Sequence, residues 1–393
     1  MMLAVVAIAA LACHRGAPAG DGDAFVLPGP VAASGQGLAN ALFQTVGAHL
    51  QGGHTVELLD NGHVFDSLVE AIGKARKSVH IDMYIWETGI ANDRVSAALI
   101  ERARAGVACR IVYDAFGSSK FATTVQPALE QAGCQLRPFR PATEKTPLAR
   151  NHRKLAIIDG TVAFTGGFGI RDEWLGDGVT GEHWRDENVR FTGPAVLDAQ
   201  QAFAENWQET GGALLPADAF PEADASAAPA GTVRVALVAS TASPVITRAE
   251  RLTQLVIVAA KHRLWIANAY FVPSAAILDL VKGQAKAGVD VRLLVPGLKS
   301  DSKLSLAAQH ALYPGLLAVG IRVWEYEPSM MHSKTMIADD QLSVIGSINF
   351  DPLSLNKLEE AALVVEDRAT VDQLAKTFEQ DCTHAKERQA GQP

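Results

Sequence analysis

Apolar and polar positions along this chain follow two periods that take turns. GLANALFQTVGAHL (37–50) suits an amphipathic helix, and HTVELLD (54–60) alternates as a half-buried strand does. FDSLVEAIGKAR (65–76) returns to helical spacing, and SVHIDMYIW (78–86) reads as a strand. A helix from about Asp93 to Ala105 is stopped by Gly106, and CRIVYDAFG (109–117) is the next strand. Strand and helix alternate, which predicts an α/β fold with helices on the faces of a sheet.

The second half of the chain repeats this order. A helix at 248–261 leads to RLWIANAYFVP (263–273), the counterpart of SVHIDMYIW. AGVDVRLLVP (287–296) matches AGVACRIVYD (105–114), and VGIRVWEYEP (319–328) matches AGCQLRPFRP (132–141). A repeat this long is a duplicated domain and not a short-period solenoid. The predicted organisation is a leader and tether over 1–36, a first half over 37–213, a Pro/Ala-rich linker over 214–231 and a second half over 232–393.

Composition narrows the class. The 393 residues are 48% hydrophobic and 20% charged, enough for a large core. A net charge of -8 supplies no general basic footprint for nucleic acid, so no nucleic-acid partner is expected. The apolar run Met1–Ala12 is too short to span a bilayer and suits an export signal. Cys13 directly follows Ala-Leu-Ala, as an acylated lipoprotein cysteine would, although Ala10 stands where such signals carry Leu. No Cys-x-x-Cys occurs, which argues against a zinc or redox motif. Cys109 and Cys134 open consecutive strands and either pair, if the protein is exported, or pack as small hydrophobes.

Each half carries one more matching feature. His152, Lys154 and Asp159 form a His-x-Lys-x-x-x-x-Asp pattern, and His332, Lys334 and Asp339 form a second, with the two histidines 180 residues apart. The strand pairs are offset by 182 to 187 residues, so the first half has about seven extra residues before its motif. Strand alternation puts each histidine and lysine on one face. A fixed cation beside a histidine suits a phosphate: Lys neutralises its oxygens, and His attacks phosphorus or moves a proton. Two such histidines allow a double displacement with one as nucleophile. A nucleophilic histidine also needs an acceptor on its far nitrogen. Glu360 is the candidate for His332, and Asp186 for His152. Ser347 and Asn349 are placed to donate to phosphate oxygens. Asp159 and Asp339 complete the catalytic motif, although at their strand ends they suit holding turns better than reacting. Trp174, Trp184 and Phe168 read as core or pocket wall.

The double motif resembles the phospholipase D superfamily. HWRDENVRFTGPAV (183–196), NAYFVP (268–273), LVPGLKSDS (294–302) and MMHSKTMIADDQLSVIGSINFDPLS (330–354) look most like bacterial cardiolipin synthases. The resemblance implies two similar α/β sandwich halves related by a pseudo-twofold, with the active site at their interface. It implies phosphodiester exchange through a phosphohistidine, with no metal or other cofactor. His152 would be the nucleophile and His332 the general acid and base. Two positions depart from the family pattern: Gly169 stands where an Asn is common, and Leu353 where an Arg is. Gly167 and Gly169 hold the places of Ser347 and Asn349 in the first half, and Gly167 is counted with the substrate-binding positions.

The function expected is a phosphatidyltransferase acting on anionic phospholipids such as phosphatidylglycerol at the membrane surface of the bacterial cell envelope. The alternatives are a phospholipase D releasing phosphatidic acid, or a phosphodiesterase nuclease. Arg137, Arg140, Lys145, Arg150, Arg153 and Lys154, set against Glu144 alone, either form a basic patch that draws such headgroups or an ordinary solvated loop. LSLAAQHALYPGLLAVG (304–320) either packs as a core helix or lines an acyl channel.

Overall fold

A computed structural model describes residues 26–27, 30–141, 148–180, 182–221, 231–243 and 245–389. Cys13 and its leader, Glu144, Lys145 and residues 222–230 of the 214–231 linker lie outside these residues. In the first half the strands are β1 (Gln51–Asp60), β2 (Ser78–Met83), β3 (Ala108–Asp114), β4 (Gln135–Phe139), β5 (Leu155–Ile158), β6 (Val162–Gly166) and β7 (Glu187–Thr192). In the second they are β8 (Val233–Ser240), β9 (Arg263–Asn268), β10 (Asp290–Pro296), β11 (Arg322–Tyr326), β12 (Lys334–Ala338), β13 (Leu342–Gly346), β14 (Glu360–Glu366) and β15 (Ala385–Glu387).

All fifteen join one sheet, in the order β15-β11-β10-β9-β12-β13-β14-β8-β1-β7-β6-β5-β2-β3-β4. Leaving aside the short edge strand β15, the order is the same from either end, and β1 and β8 pair antiparallel at the centre. That is the arrangement an approximate two-fold axis between them produces. The α/β duplication read from hydrophobic period is therefore present, as two halves of a single continuous sheet. β2, β3 and β4 run parallel, as do β9, β10 and β11, while β5 and β12 return antiparallel beside them.

The helices sort by face. α1 (Gly35–Val46) buries Leu38, Leu42 and Val46, spaced four apart on one stripe. Sequence order assigned it to the first half, but it packs into the second half's core with Leu252, Leu255 and Val256. α2 (His63–Lys74) and α3 (Ile90–Arg104) cover the outer face of the first half. Two short helices follow, α4 (Phe121–Thr124) and α5 (Gln126–Gln131). α6 (Ala195–Glu209) buries Val196, Phe203 and Trp207 between the halves. α7 (Arg248–Ala259), α8 (Ala275–Lys286) and α9 (Lys303–Leu317) cover the second half. Thr247, Ser274 and Ser302 cap these three by accepting from the third backbone N–H beyond them. α9 takes up all but the last three residues of the 304–320 stretch and packs Leu306, Tyr313 and Leu316 into the fold, as a core helix does. The short α10 (Pro352–Asn356) precedes β14, and α11 (Arg368–Thr383) buries Val371, Leu374 and Phe378 opposite α6.

The core between the halves holds Leu155, Ile157 and Phe191 from one side and Ile337, Ile345 and Leu363 from the other. The sheet's two inner faces thus close on each other, and whatever projects from the ends of β5 and β12 meets at that seam. Cys109 and Cys134 are joined as a disulfide across the adjacent starts of β3 and β4. No helix among the described residues is long and apolar enough to cross a membrane.

Candidate active site

Each histidine sits two or three residues before a strand of its own half, yet its backbone is zipped to the other half. Asn151 and Glu359 form an isolated parallel bridge, in which the His152 N–H donates to the Glu359 carbonyl at 2.8 Å and the Glu359 N–H donates to the Arg150 carbonyl at 2.9 Å. Arg185 and Met331 repeat the arrangement: His332 N–H donates to the Arg185 carbonyl at 2.6 Å, and Arg185 N–H to the Met330 carbonyl at 2.9 Å. The residue after each bridging partner is an acid. Glu360 therefore lands beside His152, and Asp186 beside His332.

This reverses the pairing expected from spacing. His152 Nδ1 lies 3.0 Å from both carboxylate oxygens of Glu360, and His332 Nδ1 lies 2.9 Å from Asp186 Oδ2. Each acid belongs to the opposite half from the histidine it holds. With Nδ1 occupied, the reactive nitrogen of each ring is Nε2.

The lysines complete the cluster. Lys154 Nζ donates to the His152 carbonyl at 2.7 Å, and Lys334 Nζ bonds the His332 carbonyl and lies 2.9 Å from its Nδ1. Both lysines and both histidines are buried. The charges of Lys154 and Lys334 act on each other and on both acids, so the six groups form one site at the seam. Burial, opposed by Glu360, lowers Lys154 to about 7; burial, opposed by Asp186 and Glu360, lowers Lys334 to about 8. Burial, followed by the two lysine charges, pushes His152 well below the usual range and so keeps it neutral. Burial and Lys334 take His332 to about 3 against the pull of Asp186.

The two acids have different surroundings. Glu360 accepts from the hydroxyls of Ser347 and Ser354, and burial raises it to about 8 against the Lys154 charge. Asp186 accepts from Trp174 Nε1 at 2.7 Å and from the Glu187 N–H at 2.8 Å. Burial pushes Asp186 up, but the His332 hydrogen bond and the His332 and Lys334 charges outweigh it, leaving the carboxyl below its ordinary value.

Three further expectations change here. Ser347 is spent on Glu360 and takes the Ala361 N–H at 3.0 Å, so it acts through the acid and not as a free donor. Gly167 offers no contact: a Cβ there would sit 2.4 Å from Asp186 Oδ1, so its role is to leave room for that carboxylate. Asp159 and Asp339 lie at the far ends of their strands, away from the histidines. Asp159 accepts from the N–H groups of Arg76, Lys77 and Ser78, and Asp339 from those of Lys261, His262 and Arg263. Both hold a turn in the left-handed region, with φ of 53° and 54°, and neither reaches the reacting groups.

Asn349 belongs to the site's wall. Its N–H donates to Ser354 Oγ at 2.8 Å, while its buried Oδ1 has no partner. Turned end for end, the same amide offers an NH2 to a phosphate oxygen. The rings of Trp174 and Trp184 each stand 5.1 Å from His332, and Tyr84 stands 4.9 Å from His152, so these aromatics form pocket wall.

The described arginines before His152 are tied into the fold and do not form a free surface patch. Arg150 is buried in a forked pair with Asp114, Arg140 pairs with Glu209 and Glu359, and Arg137 lies 4.9 Å over Trp207. Arg153 is fully buried and links the halves through Glu205, Glu359 and the Ser240 carbonyl. Ser354 was not singled out from sequence, and Trp174 and Arg153 were named only as core or pocket wall and as part of the basic stretch. Ser354 lies inside the FDPLS stretch that carried the family resemblance, but nothing in its spacing pointed to Glu360.

A family model described as "Cardiolipin synthase, PLD-like domain" matches residues 68–196 and again 255–382, one copy for each half. The chain is 33% identical over 346 residues to cardiolipin synthase 1 of Bacillus cereus, covering 85% of this chain and 67% of that protein. It is 33% identical over 338 residues to a cardiolipin synthase of Geobacillus kaustophilus, covering 84% and 66%. The chain thus spans about two thirds of the length of these relatives. Among solved structures, phosphatidylserine synthase of Haemophilus influenzae superposes with a TM-score of 0.68 at 13% identity, over 89% of this chain and 92% of that one, a likeness of fold.

Proposed function

Since the chain belongs to the phospholipase D superfamily, among its cardiolipin synthases, we propose that it moves a phosphatidyl group from one phosphatidylglycerol to another at a membrane surface. The observation that carries this reading is the pair of histidines at one seam, each with Nδ1 tied to a carboxylate and Nε2 left to react.

His152, neutral at rest, attacks phosphorus through Nε2. The P–O bond to the leaving glycerol breaks, and His332, which takes up a proton when the bound phosphate's negative charge offsets the burial and the Lys334 charge that depress it, supplies the proton that makes it an alcohol. The phosphatidyl group is now on His152. A glycerol hydroxyl of a second phosphatidylglycerol then gives its proton to His332 and attacks phosphorus. The P–N bond breaks, cardiolipin leaves and His152 is restored. Glu360 and Asp186 stabilise the imidazolium that each ring passes through. Lys154 and Lys334 supply positive charge to the phosphoryl oxygens, so no step calls for a metal ion.

The test is incubation of the purified protein with phosphatidylglycerol vesicles in chelator, with products followed by mass. Cardiolipin plus glycerol is expected. Phosphatidic acid alone would favour the hydrolytic alternative, and DNA cleavage without lipid turnover would overturn both. His152→Ala and His332→Ala should each abolish turnover. A trapped phosphoprotein should map to His152; mapping to His332 reverses the roles.

A further inference from the structure

The two sides of the site are unequal beyond the catalytic groups. Next to His332 the Tyr270 ring stands 6.3 Å away, edge-on, and its hydroxyl donates to the Asp301 carboxylate, with oxygen separations of 2.9 and 3.0 Å. Tyr270 is buried in a small cluster with Ala269, Met330 and Trp184. Asp301 is exposed, on the loop between β10 and α9, and within electrostatic reach of Lys334 and Arg171. Counted from the preceding strands, the first half has Ile85 and Ser119 at these positions, so the duplication kept no such pair beside His152.

A carboxylate beside a phosphate-handling site is a cost unless something needs an acceptor there. Ionised Asp301 offers about four lone-pair positions, and one phenol proton cannot fill them. It could take hydroxyl protons or a cationic headgroup. The cationic choice is disfavoured because Lys334 and Arg171 already offset its charge. Hydroxyl donors bring no charge and fit the remaining lone pairs. In the scheme above the alcohol leaves from and arrives at His332, the side on which this acceptor stands.

We propose that Asp301, positioned by the Tyr270 hydroxyl, binds the free hydroxyls of the polyol that departs from and attacks at His332, and so selects a vicinal-diol alcohol over water or a simple alcohol. The proposal rests on the transferase reading and on His332 as the proton-handling side. It makes Asp301 a specificity residue and Tyr270 its positioning residue.

The experiment compares wild type, Asp301→Ala and Tyr270→Phe on phosphatidylglycerol vesicles with ethanol added. Cardiolipin, phosphatidylethanol and phosphatidic acid are quantified together. Formation of the phosphoenzyme is common to all three products, so their ratios isolate acceptor choice. Asp301→Ala should lower the ratio of cardiolipin to phosphatidic acid at least tenfold and leave that of phosphatidylethanol to phosphatidic acid within about twofold. Tyr270→Phe should shift the first ratio the same way by a smaller factor. Ratios that fall together, or that do not move, overturn the proposal and leave the transferase reading standing. A wild-type protein that makes only phosphatidic acid overturns both.

Discussion

Replacing Glu360 by Gln should disable His152 and leave the His332 ring undisturbed. The substitution keeps size and shape but removes the carboxyl group that lies 3.0 Å from His152 Nδ1 and pairs with the imidazolium as it forms. A hydrogen bond to a charged group contributes about 1.5–3 kcal/mol. At about 1.4 kcal/mol per decade this corresponds to a loss of about 10- to 150-fold in kcat/KM. The loss deepens toward about 10⁴-fold if the amide turns its NH2 to the ring and enforces the wrong tautomer. Ser347 and Ser354 both aim hydroxyls at this carboxylate, so one of them must rotate to accept from the new NH2. Activity alone does not separate the two possible pairings, because Asp186→Asn should be damaging as well. Ring-nitrogen NMR does. With ¹⁵N-labelled histidine, and with His152 and His332 assigned among the 11 histidines by substitution, Glu360→Gln should move the His152 resonances and Asp186→Asn those of His332. If Glu360→Gln moves only the His332 signals, or if kcat/KM stays within about threefold of wild type, the cross-half pairing is wrong.

Lys154 and Lys334 are lowered to about 7 and about 8, so their charges are present below those values and lost as pH rises through them. The rate kcat/KM for phosphatidylglycerol should therefore decline from about pH 7 upward, more steeply above about pH 8; a profile flat to about pH 10, near the unperturbed lysine value, would refute this. Asp159→Ala and Asp339→Ala each leave three backbone N–H groups without their acceptor. Each should cost about 2 kcal/mol in a urea melt with kcat little changed, since the lost bonds are to a charged group in a turn. A collapse of kcat at unchanged stability would put these residues back in the chemistry. Arg153→Met removes the guanidinium 3.5 Å from Glu359 Oε2 and leaves that acid with Arg140 on its other oxygen. It should destabilise the fold by about 3 kcal/mol or somewhat less, the low end for breaking a buried pair, because Arg140 still compensates the acid; an unchanged urea midpoint would show that the link between halves is dispensable.

Much of this protein was legible in its sequence. Two hydrophobic periods in alternation specified α/β, because strands and helices must each present one face to a core. The repeat of that order specified two halves, and the histidine–lysine pairs located the chemistry, since a cation and an imidazole two residues apart on a strand share a face. Other features were decided only by tertiary structure. Asp186 and Glu360 occupy equivalent positions in the duplication, as the matching Gly166–Asn188 and Gly346–Ala362 strand pairs show. Spacing along the chain is then the same whether an acid serves its own histidine or its twin's. The choice was made by the short parallel ladders His152–Glu359 and His332–Arg185, formed between segments that meet only when the sheet closes on itself. The basic run from Arg137 to Arg153 had the composition of an exposed patch, and the pairing of its described arginines depended on acids up to 219 residues away in the chain. Gly167 took its meaning from the Asp186 carboxylate packed against it. Periodicity reports which way a side chain points from its own strand; which group it meets is set by contacts across the seam.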